Sequence, residues 1–297
     1  MKRAKIIAYA KINLVLDVIG KRADGYHEVE MVMQAIDLVD TVLLQEAPRN
    51  WLVTDSKYIP PNMNNLAMKA VTLMQQQFPS VSPLEVTLQK RIPVAAGLAG
   101  GSTDCAAVML GINRMYDLGL SLQELQQLGA QLGSDVPFCM GGPTALASGR
   151  GEIITPLAPC PSLYVVLVKP SFGVSTPKVY QNLQLNKVPR HPQVQQCIEG
   201  LDNGSKEQVL DAMGNLLEYS TFQLQPQVKK LKQMMGDYGC KHVLMSGSGP
   251  TVFAAFAEEQ EARAYYKKIK TIYPDAIFSR TVDETILKER VKLYGDK

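Results

Sequence analysis

The chain is expected to be an α+β protein, and three observations lead there. Apolar and polar residues alternate through positions 6–18, the mark of a half-buried strand. Helical spacing of apolar residues recurs at about 62–78, 104–116, 176–183, 206–220, 226–238 and 259–272, while strand-like runs cover 163–168, 242–246, 251–257 and 276–281. The two kinds of element mix without a strict strand–helix–strand rhythm, which favours α+β over a doubly wound parallel sheet. With 297 residues, 46% apolar and 20% charged, the chain has enough material for a full core and lies far from the disordered regime.

The alternation in the first strand puts Ile6, Ala8, Ala10, Ile12, Leu14, Leu16 and Val18 on one face. Lys5, Tyr9, Lys11, Asn13 and Asp17 fall on the other, so Lys11 and Asn13 sit side by side on a polar face. A polar glycine-containing loop, residues 20–27, leads to a second strand at about 29–44. The spacing of Leu66, Ala70, Leu73 and Met74 predicts a helix over 62–78. Ser121-Leu122-Gln123-Glu124 is a capping box that opens a further helix, which Gly133 is expected to close, with Ser134-Asp135-Val136-Pro137 directly after it.

The segment PVAAGLAGGSTD, residues 93–104, carries the strongest functional signal. A β-like run, 84–88, precedes it and an apolar helix-forming run, 105–115, follows. Strand, glycine loop and helix start together form an anion cradle: glycine allows close backbone approach, and the first N–H groups of a helix favour negative charge. A plain turn could occupy the same place, but three glycines within five residues exceed what a turn requires. The loop has no lysine ahead of its Ser-Thr and no G-x-G-x-x-G spacing. It is therefore neither a P-loop nor a dinucleotide fingerprint, and a cation near bound phosphate must come from elsewhere. A second glycine segment, MSGSGPT at 245–251, joins two apolar runs. It reads equally as a hairpin loop or as a second backbone wall around the same ligand.

Composition excludes several classes. Net charge is +3, from 31 basic and 28 acidic residues, and the densest basic stretch, Lys229-Lys230-Leu231-Lys232, reads as a solvated helix face; nucleic acid is not an expected partner. The five cysteines are scattered and form no C-x-x-C, so neither a disulfide framework nor a zinc site is expected. No stretch of about 18 apolar residues exists and the N-terminus is not a secretory signal, so a cytoplasmic protein without a membrane span is expected.

Six motifs appear in a recognisable order: Ala10-Lys11-Ile12-Asn13-Leu14, Arg22-Ala23-Asp24-Gly25-Tyr26-His27-Glu28, the 93–104 loop, Gly133-Ser134-Asp135-Val136-Pro137, Gly173-Val174-Ser175-Thr176-Pro177 and the 245–251 loop. With this set the chain resembles the GHMP small-molecule kinases over most of its length. The first two motifs together resemble the branch that acts on a cytidine-diphosphate-linked polyol. Two positions depart from that pattern: Tyr9 stands where the branch usually has proline, and Thr103 where it usually has a second serine, a change that keeps a hydroxyl.

The resemblance implies a two-lobed fold with the active site in the cleft between lobes. A proline-rich joint at 156–161 suggests an N-terminal ATP-binding domain, 1–158, and a C-terminal domain, 159–297. It implies ATP and Mg²⁺, a small-molecule substrate, and a monomer or homodimer. Lys11 and Asp135 would be catalytic, Asp135 as the carboxylate that accepts or orients the attacking hydroxyl. ATP would lie on Pro93, Val94, Ala95, Ala96, Gly97, Leu98, Ala99, Gly100, Gly101, Ser102 and Thr103, with Ser102 as a Mg²⁺ contact. Asn13, Tyr26, His27, Thr176 and Tyr180 would bind the substrate, His27 reading the cytosine edge and the two tyrosines its faces. Asn65, Leu66, Lys90 and Arg91 are adenine candidates. A kinase of the same family acting on mevalonate, homoserine or a sugar is the alternative, and a non-catalytic nucleotide sensor is disfavoured because both Lys11 and Asp135 are present.

Overall fold

The computed structural model describes residues 1–60 and 62–294. It opens with a long antiparallel hairpin, β1 (Arg3–Lys21) and β2 (His27–Glu46), followed by β3 (Trp51–Thr54). Helix α1 (Leu66–Gln77) begins later than its periodicity suggests. Asn65 caps it, its Oδ1 accepting from Ala67 N–H at 2.9 Å, which removes 62–65 from the helix. Next come β4 (Leu84–Gln89) and α2 (Gly100–Met115). Helix α2 starts inside the glycine loop, four residues before the expected Asp104, because left-handed Ala99 lets the chain turn directly into helix.

The Ser121 capping box is present on α3 (Leu122–Gly129), but Gly129, not Gly133, ends the helix. Asp135 does not merely organise a turn: it stands at the head of a short helix, α4 (Val136–Met140). Strands β5 (Thr144–Ser148) and β6 (Ile153–Pro156) complete the first half. The second half runs through β7 (Tyr164–Val168), α5 (Thr176–Gln181), α6 (Val194–Asp202), α7 (Lys206–Asp211), β8 (Gly214–Asn215), α8 (Leu217–Leu224), α9 (Pro226–Asp237), β9 (Val243–Met245), β10 (Val252–Phe256), α10 (Glu259–Lys270), β11 (Ile277–Arg280), α11 (Glu284–Lys288) and β12 (Val291–Tyr294). The single helix expected over 206–220 is therefore two, split by β8, and α6 was not evident from spacing.

The expected α+β class holds. One sheet has eight strands, in the order β12-β1-β2-β4-β3, with β5 on β2, β6 on β5 and β8 on β1; the other has four, β11-β7-β10-β9. The last strand returns to the first sheet, pairing with Arg3–Ile6 of β1. Helices α1, α2 and α4 pack on one face of the large sheet, and a second apolar cluster, with α6 and α7, lies between its other face and the small sheet. Among the described residues no helix is long and apolar enough to cross a membrane.

The first strand departs from simple alternation in a way that builds the site. Its pairing with β2 shifts between Tyr9 and Lys11 and again between Asn13 and Val15. Each bulge reverses which residues face the helices. Ala4, Ile6 and Ala8 face them before the first bulge and Leu16 and Val18 after the second, while Ala10, Ile12, Leu14 and Val15 face the other cluster. Lys11 and Asn13 therefore share a face, as expected, but not a solvated one: they point inward and are only 3% and 0% exposed.

Candidate active site

A large cavity of about 970 Å³ lies against this buried polar pair. Lys11 donates from Nζ to Asn13 Oδ1 at 2.8 Å and lies 3.7 Å from Asp135 Oδ2. The lysine is buried, while the Asp135 side chain keeps a third of its surface open to the cavity. Residues 11 and 135 are brought together by the bulged strand on one side and the start of α4 on the other. A carboxylate beside a cavity with an adjacent buried ammonium can orient a hydroxyl and offset charge that develops on a transferring group.

The two glycine segments form facing backbone walls. Ala95, Gly97 and Ala99 all have positive φ (51°, 76° and 58°), so alternate residues of the loop are left-handed, the backbone pattern of an anion nest. Ala99 supplies no side-chain cap to α2, which leaves the first turn of this 16-residue helix turned to the cavity. The 245–251 segment is a hairpin loop between β9 and β10, and its Gly247 and Ser248 line the same cavity. Ser246 donates Oγ–H to the Gly97 carbonyl at 2.9 Å. The walls are so close that a Cβ on Gly97 would fall 2.1 Å from the Ser246 carbonyl oxygen. Gly247 brings its backbone close to the Lys11 ammonium, 3.6 Å from where a Cβ would be.

Of the loop residues expected to hold a nucleotide, Pro93–Gly97 and Ala99–Ser102 line the cavity. Leu98 and Thr103 do not: Leu98 packs in the core, and Thr103 is buried with its N–H on the Ala99 carbonyl at 2.8 Å. Beneath the loop, Lys90 bridges Asp40 and Asp104, and Asp40 Oδ1 accepts the backbone N–H of Ile92 at 2.9 Å. Burial pushes the Asp104 carboxyl up to about 7, against the pull of Lys90. This ion network joins the end of β4 to the first turns of α2. Asn65, Leu66 and Lys90 line the cavity, whereas the Arg91 side chain is exposed and does not.

At the opposite end the lining is aromatic. His27 lies against Tyr180 of α5, ring centroids 5.2 Å apart and tilted by 33°. Burial, helped by Lys21, lowers the His27 pKa, so its ring is neutral at neutral pH; burial and the charge of Asp135 push the Tyr180 phenol well above its usual range. Thr176, at the head of α5, shares a 2.7 Å hydrogen bond between hydroxyls with Ser248 of the second glycine wall. Tyr26 is more than half exposed and carries the Arg150 guanidinium 4.9 Å from its ring centre.

Arg150 and the Lys90 network are what sequence reasoning missed. Arg150 stands between Gly149 and Gly151, both left-handed, in the β5–β6 turn, and an arginine between two glycines was the available signal. Glu28 explains why this turn reaches the site. One carboxylate oxygen accepts from Gly149 N–H at 3.0 Å and the other from Arg22 at 2.7 Å, so the residue after His27 docks the turn beside it.

Comparisons agree with this geometry. Residues 65–143 match the model of the GHMP kinases N terminal domain, and 197–275 match that of the GHMP kinases C terminal domain. The 4-diphosphocytidyl-2-C-methyl-D-erythritol kinase of Bacillus mycoides (strain KBAB4) is 47% identical over 265 residues, 89% of this chain and 91% of that protein. The same-named protein of Bacillus thuringiensis (strain Al Hakam) is 45% identical over 274 residues, 91% and 94% of the two chains. A crystal structure of 4-(cytidine 5'-diphospho)-2C-methyl-D-erythritol kinase superposes with a TM-score of 0.78 at 31% identity, covering 93% of this chain and 98% of that one. With two matched domains, close relatives over nearly the whole length and the expected motifs gathered in one cavity, the chain belongs to the GHMP kinase family and, within it, to the group of 4-diphosphocytidyl-2-C-methyl-D-erythritol kinases.

Proposed function

We propose that this kinase transfers the γ-phosphoryl group of ATP to the 2-hydroxyl of 4-diphosphocytidyl-2-C-methyl-D-erythritol, giving the 2-phosphate and ADP, a step of non-mevalonate isoprenoid biosynthesis. The observation that carries it is the Lys11–Asp135 pair, 3.7 Å apart, set between the backbone walls and the His27–Tyr180 end of one cavity. Residues 1–158 supply the ATP-binding lobe and 159–297 the second lobe, which contributes Thr176, Tyr180 and the 245–251 wall.

Asp135 accepts or orients the proton of the attacking hydroxyl, which as a tertiary alcohol is a poor acid; an aligned acceptor contributes ~10²–10⁴ in rate. Lys11, fixed by Asn13, offsets charge on the transferring group, and Asn13 also faces the polyol. The left-handed loop and the start of α2 hold the phosphates through backbone N–H groups. His27 reads the cytosine edge, Tyr180 and Tyr26 offer ring faces, and Thr176 lies nearer the polyol. Phosphoryl transfer needs little covalent help, so positioning and charge are the protein's main contributions.

Among the described residues no group of three or more His, Cys, Asp or Glu side chains could hold a metal by itself. The Ser102 hydroxyl, in the first turn of α2 and lining the cavity, fits a Mg²⁺ carried mainly by ATP phosphates. When bound, the ion neutralises charge on those phosphates.

An ADP-release assay offering the cytidine substrate, mevalonate and homoserine in parallel tests the assignment. Turnover confined to the cytidine substrate is expected; equal or better turnover of mevalonate or homoserine would overturn it.

A further inference from the structure

Helix α4 is five residues long and begins at Asp135. So short a helix can hardly hold itself, because most of its carbonyls lack a partner within it. Side chains from elsewhere take them. Gln126 of α3 donates Nε2–H to the Pro137 carbonyl at 3.0 Å. Arg290, in the segment between α11 and β12, donates Nη1–H to the Cys139 carbonyl at 2.9 Å and Nη2–H to the Met140 carbonyl. The backbone of Arg290 is itself anchored: its carbonyl accepts from Ile7 N–H at 2.9 Å, on the strand that carries Lys11.

Arg290 thus grips the helix of Asp135 with its side chain and the strand of Lys11 with its main chain. Its charge is unusually placed for a part-buried arginine. Among the described residues no carboxylate lies within 4.0 Å of it, and burial lowers its pKa to about 10, still charged at neutral pH. A cation drawn partly out of water and matched only by carbonyls adds little to stability by itself. At the C-terminal end of a helix, however, it meets the negative end of the dipole and fixes where that helix lies.

We infer that Arg290 is a positioning residue for phosphoryl transfer: it ties α4 to β1 and so sets the separation of Asp135 and Lys11. The inference rests on the kinase function proposed above. A displacement of about 1 Å in such a pair can cost ~10²-fold in rate without weakening ground-state binding.

The test compares R290A and R290K with wild type, measuring kcat, both KM values, amide hydrogen exchange over 134–141, and rescue by millimolar guanidinium. R290A is expected to lose about 10–100-fold in kcat with KM for ATP within about twofold, to exchange faster over 134–141 but not over the glycine loop, and to recover several-fold on adding guanidinium. R290K, which keeps charge but not the fork, should fall between R290A and wild type. Wild-type kcat in R290A, or a loss that falls equally on kcat and KM with no guanidinium response, overturns the inference. If R290A melts below the assay temperature, R290K decides by the same kcat-against-KM split. An inactive wild type would defeat the kinase assignment instead, and unchanged exchange over 134–141 in either variant would still overturn the positioning role.

Discussion

At the glycine end of the cavity the walls are backbone. Two loops meet at a separation that leaves no room for a Cβ on Gly97, three consecutive odd-numbered positions are left-handed, and the side chains that matter, Lys11 and Asn13, are locked inside the sheet. At the ring end the walls are side chains. His27 and Tyr180 lean on each other, and Tyr26 stands more than half in solvent under the Arg150 guanidinium. Rigid backbone suits a ligand group whose shape never varies and whose charge must be met in the transition state. Side chains suit recognition of one nucleoside among several. Damage at the first end should therefore appear in turnover, folding or ATP affinity, and damage at the second in affinity for the cytidine substrate.

Asp135→Asn should show the largest effect: turnover falls by at least ~10² with KM for ATP little changed, because the substitution keeps size but removes the negative charge and the basic oxygen. Near-normal turnover would remove Asp135 from proton handling and erase the contrast between the two ends. Next is Gly97→Ala. The left-handed backbone alone costs about 1–2 kcal/mol, and the new Cβ must also push Ser246 away. A lower melting temperature together with a raised KM for ATP is expected; a variant that melts and binds ATP like wild type would mean the walls are not rigid.

His27→Ala is expected to raise KM for the cytidine substrate roughly 2–10-fold, the scale of one lost aromatic contact, and to leave KM for ATP alone. An equal change in both constants would take His27 out of nucleoside recognition. The same residue gives a pH signature. Its folded pKa lies below the ordinary 6.5 because burial disfavours the imidazolium. The stability it lends is full above about pH 6.5 and is lost as pH falls through the depressed value, and substrate KM should rise over that same acid range. The rise should vanish in His27→Ala. Tyr26→Ala should be the mildest, no more than about fivefold in substrate KM, since an exposed ring under an arginine contributes under about 1 kcal/mol; a tenfold loss would show that the ring end is as tightly built as the glycine end.

Much of this was legible in the chain. The α+β class, the glycine loop, the capping box at Ser121 and the pairing of Lys11 with Asn13 could be stated from residue order and spacing, while the grouping of Asp135, His27, Thr176 and Tyr180 came from the family resemblance. The sharper errors have local causes. Strict alternation put Ile6, Ala8, Ala10, Ile12, Leu14, Leu16 and Val18 on one face, whereas the bulges divide them between two apolar clusters, because a bulge leaves no mark in hydrophobic periodicity. Helix α2 was started too late because its first turn, Gly-Gly-Ser-Thr, has weak helix propensity and is helical only through the left-handed Ala99.

The sequence by itself determined which chemistry is present: an anion-holding loop with no lysine of its own, a strand lysine, a carboxylate after a helix, and aromatic residues beside a glycine turn. Those are properties of residue type and near-neighbour spacing, which short-range sterics and hydrogen bonding govern. Only the tertiary structure decided which way Lys11 points, how close the two glycine walls come, that Arg150 stands over Tyr26, and that Arg290, just before β12, grips the helix of Asp135. Each of these depends on contacts between segments tens to hundreds of residues apart, where packing and pairing register, not local propensity, set the geometry.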